Sequence, residues 1–446
     1  MNEKPNIILI TVDSMRADHL GCYGYHRPTS PNMDALAQEG VLCERLFCQG
    51  IPTYPSYTTL YTGQHPITHG VVAHGGDAKL KSDAPFLPQL FTEAGYTTCA
   101  VDNMLRGRSW FGRGYEFYID PSIRHHLLYL NVTCDEINNR AIPWIKTHSN
   151  EPFFMFLHYW DPHWPFIPPK QYLNLFYQGN PTDTNNHSLD GFYRHPIGEI
   201  ARDTWLRTDD GPITDAEYVI ALYDQEIRYL DNAVGELIGT LDDLGLSQQT
   251  MVVLLADHGE SMTEHGIFFD HHGLYDSTLH IPLIVRWPGI LPSGLRLPQF
   301  IHQTDIAPTI LEAAGLTIPE AMEGYSALNL LKNNTQEDKH QRVISAECTW
   351  QAKWSLRTDC YKFILAREPD FLGNPPRELY DLVADPNEKH NIIEERKEVA
   401  SAFEEELESW IAERLRILEK PMDPIIENGA SMLETWQAQI AKGGIF

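Results

Sequence analysis

Three short apolar runs that end in polar residues constrain the fold of this chain more than any other feature. They cover residues 7–12, 153–159 and 251–256, and Asp257 and His258 follow the last run directly. Each run has the length and the composition of a buried strand. Because ligands gather at the carboxyl ends of the strands in open α/β sheets, the pattern predicts an α/β fold with a site at one sheet edge.

Acidic and imidazole side chains at these strand ends indicate a metal site. Asp257 and His258 offer the mixed oxygen and nitrogen ligands that divalent transition metals accept. Asp13 follows the first apolar run, and a buried carboxylate requires a metal or a basic partner. On local grounds Asp13 fits a helix cap equally well. His271 and His272 stand in a later loop, where some polar residues are expected to be surface.

The sequence Pro-Thr-Tyr-Pro-Ser, with Thr53 as its threonine, predicts a tight turn that opens a helix. The flanking prolines restrict the backbone, and the free amides of a helix N-terminus receive anionic groups. An ordinary capped helix explains the same residues, since Thr and Ser are common caps. The turn is therefore catalytic only if metal ligands from elsewhere in the chain converge on it.

Other candidate site residues lie in loops after predicted strands. Asn103 follows a strand that ends at Val101, and Arg106 stands in the glycine-rich loop beyond it. Arg106 could hold an anion, although surface arginines are the commoner case. His163 lies between two prolines, which suits a substrate contact, but a packed histidine is the usual alternative. The segment of residues 170–212 is long and polar, and we expect it to form a lid or an insert.

Composition narrows the partners and the compartment. The 446 residues carry a formal net charge of −27, which disfavours nucleic acid and anionic membranes as partners. A small anionic ester remains a possible substrate, because a bound cation reverses the local field. The 7 cysteines form no regular framework, no apolar run approaches the length of a membrane span, and no leader is apparent. We therefore predict a cytoplasmic protein.

The chain divides into three predicted regions. Residues 1–330 form a large α/β domain with a central mixed sheet flanked by helices, and residues 331–420 form a smaller α+β domain with an antiparallel sheet. The remaining segment, residues 421–446, is apolar enough to cover a neighbouring subunit in a homo-oligomer.

With these motifs in order, the chain resembles the sulfatase family of the alkaline phosphatase superfamily over essentially its whole length. No single motif is specific, but their order and completeness are. The motifs are Asp13 with residues 16–24, Pro55-Ser56 with Thr62-Gly63, residues 161–165, residues 257–260, residues 282–285 with Pro288-Gly289, residues 305–309, and residues 378–382 with Asp385-Pro386.

The resemblance implies a divalent metal at the strand ends and a nucleophile at the start of the Pro-Ser helix. By position, Asp13, Asp257 and His258 would be metal ligands, and Thr53 would be both the nucleophile and a ligand. His163 matches a position that contacts the anionic ester. Catalytic roles are thus expected for Thr53, His163 and His271, the last of which stands where many relatives have lysine.

The departures from the family pattern bear on the chemistry. Most relatives carry Cys or Ser at the Thr53 position and oxidise it to formylglycine, whereas a threonine would give a ketone, so no formylglycine is expected. Tyr57 replaces an arginine and Asn103 a lysine, and both are expected to bind substrate together with Arg106 and His272. An imidazole ligand favours Mn²⁺ or Zn²⁺, with Ca²⁺ or Mg²⁺ as alternatives.

Threonine therefore shifts the expected substrate. A formylglycine hydrate expels sulfate through its second hydroxyl, while a threonine ester must be resolved by water attacking the central atom. We expect hydrolysis of phosphodiesters, phosphomonoesters or phosphonate esters. Sulfuric ester hydrolysis, a transferase and a catalytically inactive anion-binding relative remain alternatives.

Overall fold

The computed structural model describes residues 4–122, 132–333, 339–370 and 372–430. Its strands run in the order β1 to β15: Asn6–Val12, Val41–Phe47, Gly50–Ile51, Thr97–Val101, Phe117–Ile119, Phe153–Tyr159, Arg207–Thr208, Gly211–Pro212, Thr250–Ala256, His280–Arg286, Leu295–His302, Val343–Glu347, Lys353–Arg357, Tyr361–Ala366 and Arg377–Asp381.

The helices flank these strands. They run in the order α1 to α13: Pro31–Glu39, Thr53–Thr62, Pro66–His69, Leu87–Glu93, Cys134–Thr147, Asp190–Tyr193, Pro196–Thr204, Ala216–Asp243, Asp276–Leu279, Ile306–Ala313, Leu328–Asn333, Lys397–Ile417 and Pro424–Asn428. The long helix α8 buries its apolar face, including Tyr223, Ile227 and Leu230, as its spacing predicts.

The main sheet has eight strands in the order β11-β2-β10-β9-β1-β6-β4-β5. Strands β9, β1, β6 and β4 are parallel neighbours, and β10 runs antiparallel beside β9. The central strands β1, β6 and β9 are buried along their whole length, because helices cover both faces of the sheet. The predicted mixed α/β architecture is confirmed.

A second sheet of five strands has the order β15-β14-β13-β12-β3. Strands β12 to β15 are antiparallel neighbours and confirm the predicted smaller C-terminal sheet domain. Strand β12 pairs in parallel with the edge strand β3, which ends two positions before Thr53, and Glu347 lies opposite Ile51. The second sheet is therefore attached directly to the segment that carries Thr53.

Some predictions remain open at this level. The domain boundaries at residues 330 and 420 and the lid at residues 170–212 stay predictions, although α6 and α7 lie within the latter. Of the C-terminal segment, only residues 421–430 are described, so its proposed role in a homo-oligomer stays a prediction. In the part of the chain that is described, no helix is both long and apolar enough to cross a membrane.

Candidate active site

Three predicted metal ligands meet at the carboxyl ends of adjacent strands. Strands β1 and β9 pair in parallel with Val12 opposite Ala256, so Asp13 and Asp257 emerge side by side. One ligand atom from each of Asp13, Asp257 and His258 lies within 4.8 Å of the others, and all three side chains are completely buried. We call these three residues the strand-end group.

Thr53 begins helix α2 beside this group. Its Oγ1 lies 3.4 Å from Nε2 of His258. The start of the helix is fastened to the end of β9, because Ser56 donates its hydroxyl to the carbonyl oxygen of Asp257 at 2.7 Å. Gln303 in turn donates to Ser56 Oγ at 2.7 Å. The turn predicted from the sequence therefore places the Thr53 hydroxyl next to the strand-end group.

The donor set fits a divalent cation. Oδ2 of Asp257 is buried and has no hydrogen-bond partner among the described residues. The contacts that Asp13 and Asp257 make within the described chain involve imidazoles, the Ser14 hydroxyl and backbone amides, and no lysine or arginine. Two adjacent buried carboxylates without such a cation are costly. Asp13, Asp257 and His258 are suited to hold the metal that the family implies.

The electrostatics of the strand-end group reflect this charge imbalance. Burial and the neighbouring Asp13 carboxylate raise the pKa of Asp257 well above its usual range. Burial also opposes ionisation of Asp13, but the imidazoles of His163, His158 and His258 outweigh it and lower the pKa of that carboxyl. Burial and the nearby His271 lower the pKa of His258 to about 3, which leaves a neutral imidazole of the kind that binds metal.

Two further predicted catalytic residues extend from His258 as a row of imidazoles. The ring of His271 stacks on that of His258 with centroids 4.7 Å apart, and the ring of His163 lies 5.2 Å beyond it. His163 donates through Nδ1 to the carbonyl of Trp164 at 2.6 Å, which fixes its ring. Burial opposes protonation of His271, but Glu260 and Asp270 dominate and raise its pKa to about 10.

The four predicted substrate-binding residues occupy different surroundings. Tyr57 is completely buried and donates its hydroxyl to Thr11 Oγ1 at 2.9 Å. Asn103 donates to the Ser122 hydroxyl at 2.9 Å. Arg106 is half exposed and pairs with Asp120. His272 is buried, with Nδ1 3.3 Å from Asp270 Oδ1. Their binding roles stay predictions, as do the roles assigned to the metal ligands and Thr53.

Sequence reasoning missed two residues, His158 and Asp102. His158 Nδ1 lies 2.8 Å from Asp102 Oδ1, and its Nε2 lies 3.3 Å from Asp13 Oδ2. Burial opposes protonation of His158, but the two carboxylates outweigh it and raise the pKa to about 9. A histidine inside the apolar run of residues 153–159 was the available signal, because burying an imidazole calls for a polar partner.

Comparisons with known proteins specify the class of protein that has this fold and this buried group. The family model named Sulfatase matches residues 5–316, and the model of the N-sulphoglucosamine sulphohydrolase C-terminal region matches residues 263–413. The first match covers well over half of the chain. The chain belongs to the sulfatase family and is a hydrolase acting on ester bonds.

Individual relatives are distant but cover most of the chain. An N-acetylglucosamine-6-O-sulfatase of Bacteroides thetaiotaomicron is 24% identical over 90% of this chain and 86% of its own length. An arylsulfatase of Clostridium perfringens is 25% identical over 89% of this chain and 92% of its own. The phosphonate monoester hydrolase of Agrobacterium radiobacter superposes with a TM-score of 0.73 at 21% identity, covering 92% and 96% of the two chains. That likeness concerns the fold.

Proposed function

We propose that this protein hydrolyses phosphodiesters, phosphomonoesters or phosphonate esters, with Thr53 as the nucleophile and with Asp13, Asp257 and His258 as ligands of a divalent metal. The observation that carries the proposal is the Thr53 hydroxyl, 3.4 Å from His258 Nε2 and beside two buried carboxylates. Thr53 also begins the ten-residue helix α2, and the free backbone amides at a helix N-terminus can receive an anionic group.

The ligand set supports Mn²⁺ or Zn²⁺. Two carboxylates and one imidazole suit these ions better than Ca²⁺, which prefers a shell of oxygen ligands. Such an ion supplies Lewis acidity toward the attacking hydroxyl and the non-bridging oxygens of the ester. The protein itself fixes the ligand geometry through the paired ends of β1 and β9, and Thr53 completes the group as a further oxygen ligand.

The residues around the group supply the proton transfers. In the first step Thr53 Oγ1 gives its proton to solvent and attacks phosphorus, while the bond from phosphorus to the alcohol oxygen breaks. His271, in its protonated form and with Nδ1 3.8 Å from carboxylate oxygens of both Glu260 and Asp270, is placed to give that leaving oxygen a proton. His163 lies 5.2 Å from His271, ring to ring, and stabilises charge on the transferred group. In the second step a water molecule gives a proton to His271 and attacks phosphorus, the bond from phosphorus to Thr53 Oγ1 breaks, and Thr53 takes up a proton from solvent.

Threonine chemistry is the reason to favour phosphorus. A phosphothreonine is resolved by water at phosphorus, whereas the formylglycine route expels sulfate through a second hydroxyl that threonine lacks.

Sulfate esters are the second candidate. The names of the curated relatives favour them, since an N-acetylglucosamine-6-O-sulfatase and an arylsulfatase both align over most of the chain. On this alternative the same ligands hold the metal, and Thr53 would have to be resolved from a sulfate ester by water.

A substrate panel separates the two candidates. The EDTA-stripped protein is reloaded with Mn²⁺, Zn²⁺ or Ca²⁺ and given matched aryl phosphomonoester, phosphodiester, phosphonate ester and sulfate ester substrates. The proposal expects the highest kcat/KM on a phosphorus ester with Mn²⁺ or Zn²⁺. Faster turnover of the sulfate ester would select the second candidate. If the metal-loaded protein turns over none of these esters, the remaining alternative is a catalytically inactive relative that binds anions.

A further inference from the structure

A buried line of polar side chains reaches Asp13 from two neighbouring strands. Asp102 follows β4, and His158 lies in β6. The register of the sheet places Val101 opposite Leu157 and Thr11 opposite His158. Because these strands are parallel neighbours, Asp102, His158 and Asp13 stand in line across the carboxyl edge of the sheet.

The imidazole of His158 bridges the two carboxylates. Its Nδ1 lies 2.8 Å from Asp102 Oδ1 and its Nε2 3.3 Å from Asp13 Oδ2. Because an ionised carboxylate only accepts hydrogen bonds, each ring nitrogen that carries a proton donates to the carboxylate it faces. The three side chains are at most 1% exposed, which keeps bulk solvent from competing for these contacts.

Further contacts fix Asp102 and the His158 ring in place. Oδ2 of Asp102 accepts from the Met104 amide at 3.0 Å and from the Tyr118 hydroxyl. The ring of His158 packs with its centroid 4.8 Å from that of Tyr57 and 5.0 Å from that of Trp160. These contacts leave the imidazole one orientation, with Nε2 toward Asp13.

This orientation determines how Asp13 presents its carboxylate. Oδ2 of Asp13 faces His158, while Oδ1 accepts from the Ser14 hydroxyl at 3.1 Å and lies 3.7 Å from Nε2 of His258. The contact with His158 therefore turns Oδ1 toward the other members of the strand-end group. Without it, Asp13 could rotate about its side-chain torsions and lose that alignment.

We propose that His158, oriented by Asp102, is a positioning residue that fixes Asp13 as a metal ligand. The inference rests on the metal site of the proposed function. Groups that hydrogen-bond to metal ligands contribute about 10–100-fold to metal affinity or activity in other metalloproteins. The same arrangement gives Tyr57 a supporting role against the imidazole ring rather than contact with substrate.

The test measures Mn²⁺ affinity by calorimetry on the EDTA-stripped full chain, for wild type, His158→Gln and Asp102→Asn. Both variants are expected to bind Mn²⁺ about 10–100-fold more weakly, as for other outer partners of metal ligands. Their kcat/KM at low Mn²⁺ should fall in parallel and recover as Mn²⁺ is raised. Tyr118→Phe removes the hydroxyl that donates to Asp102 and accepts from the Leu105 amide, and it gives a milder variant with a smaller loss of affinity if the others fold poorly.

His19→Gln is the matched control. His19 is also buried and contacts a buried carboxylate, with Nδ1 2.7 Å from Asp224 Oδ1. Its Mn²⁺ affinity should equal that of wild type. Wild-type affinity in His158→Gln, Asp102→Asn and Tyr118→Phe would overturn the positioning role while leaving the metal site intact. A wild-type protein that binds neither Mn²⁺ nor Zn²⁺ would instead overturn the proposed function, and this inference with it.

Discussion

Two of the groups of buried carboxylates among the described residues are neutralised in different ways. In the strand-end group, Asp13 and Asp257 contact only imidazoles, a hydroxyl and backbone amides among the described residues. The second group, which we call the lysine group, lies where the second sheet meets helix α9. It consists of Lys353, Arg357, Lys362, Asp276, Asp370, Glu378 and Glu388.

The lysine group is paired through short contacts. Lys362 Nζ lies 2.5 Å from Asp276 Oδ1 and 2.7 Å from Glu388 Oε1. Lys353 Nζ lies 2.6 Å from Asp370 Oδ2 and 3.3 Å from Glu378 Oε1. Burial opposes ionisation of Asp276, but Lys362 and Arg357 outweigh it and lower the pKa of that carboxyl.

The difference separates a structural site from a functional one. Buried acids that have lysine and arginine partners need no further cation. Removing one partner leaves an uncompensated buried charge, which lowers stability. Asp13 and Asp257 have no lysine or arginine partner among the described residues, and our proposal is that a cation from outside the chain neutralises them. The comparison predicts that changes in the lysine group affect stability, while changes in the strand-end group affect metal binding and turnover.

The largest effect is expected at the nucleophile. Thr53→Ala removes the hydroxyl beside His258 and should lower kcat by at least about 1000-fold, the scale seen when a nucleophile is deleted. Thr53→Ser is the control, because it keeps a hydroxyl and should retain most of the activity. Full turnover in Thr53→Ala, measured on the best ester of the panel, would remove Thr53 from the mechanism.

The lysine group should respond in stability instead. Lys362→Met leaves the buried Glu388 without its cation and Asp276 with Arg357 alone, and it should lower the free energy of unfolding by about 3–5 kcal/mol. Lys397→Met is the control, since Lys397 forms an exposed pair with Glu394, and its denaturation midpoint should not move measurably. A midpoint for Lys362→Met equal to that of wild type would break the distinction between the two groups.

Asp257→Asn tests the opposite side of the comparison. It removes a metal ligand and should weaken Mn²⁺ binding by at least about 100-fold, more than the loss of an outer partner causes. The thermal midpoint in EDTA should stay the same or rise, because burial and Asp13 disfavour the ionised form of Asp257 and the Asn side chain carries no charge. Asp276→Asn should give the reverse pattern, with unchanged Mn²⁺ affinity and a lower midpoint.

The smallest expected effect is a change in pH dependence. Burial raises the pKa of Glu260 to about 7, although His271 opposes the shift. The folded state therefore holds this proton more tightly than the unfolded chain, whose glutamates titrate near pH 4.3. In EDTA the stability linked to Glu260 is present at low pH and is lost as pH rises toward 7.

Glu260→Gln should remove the contribution of Glu260 to the pH dependence of stability. The variant and the wild type should have similar thermal midpoints near pH 4, and the variant should be the more stable near pH 8. Because burial also raises the pKa values of Glu347 and Glu388, the quantity to compare is the difference between the two proteins at each pH. A difference that does not change with pH would show that Glu260 is not linked to stability.

Much of the fold could be predicted because its strands are local apolar runs. The runs at residues 7–12, 153–159 and 251–256 are confirmed as strands of the main sheet. Their ends placed Asp13 and Asp257 correctly at one edge, since parallel neighbours share their carboxyl side. The two-residue strand Gly50–Ile51 could not be predicted, because its pairing with β12 depends on residues nearly 300 positions away.

The site was predicted less completely because some residue roles depend on neighbours across the sheet. His158 lies within an apolar run, and only the register with β1 and β4 brings it to Asp13 and Asp102. Tyr57 stands on the helix that carries Thr53, yet its side chain turns into the core toward Thr11. Family position indicated the segment that lines the site, but not the direction in which each side chain points.

Calorimetric titration of Mn²⁺ into EDTA-stripped protein tests the central claim most directly. The account predicts saturable Mn²⁺ binding by wild type and by Asp276→Asn, and an affinity at least about 100-fold weaker in Asp13→Asn, which removes a ligand outright. Equal Mn²⁺ affinity in Asp13→Asn and wild type would contradict the claim that the buried strand-end group is completed by a divalent cation.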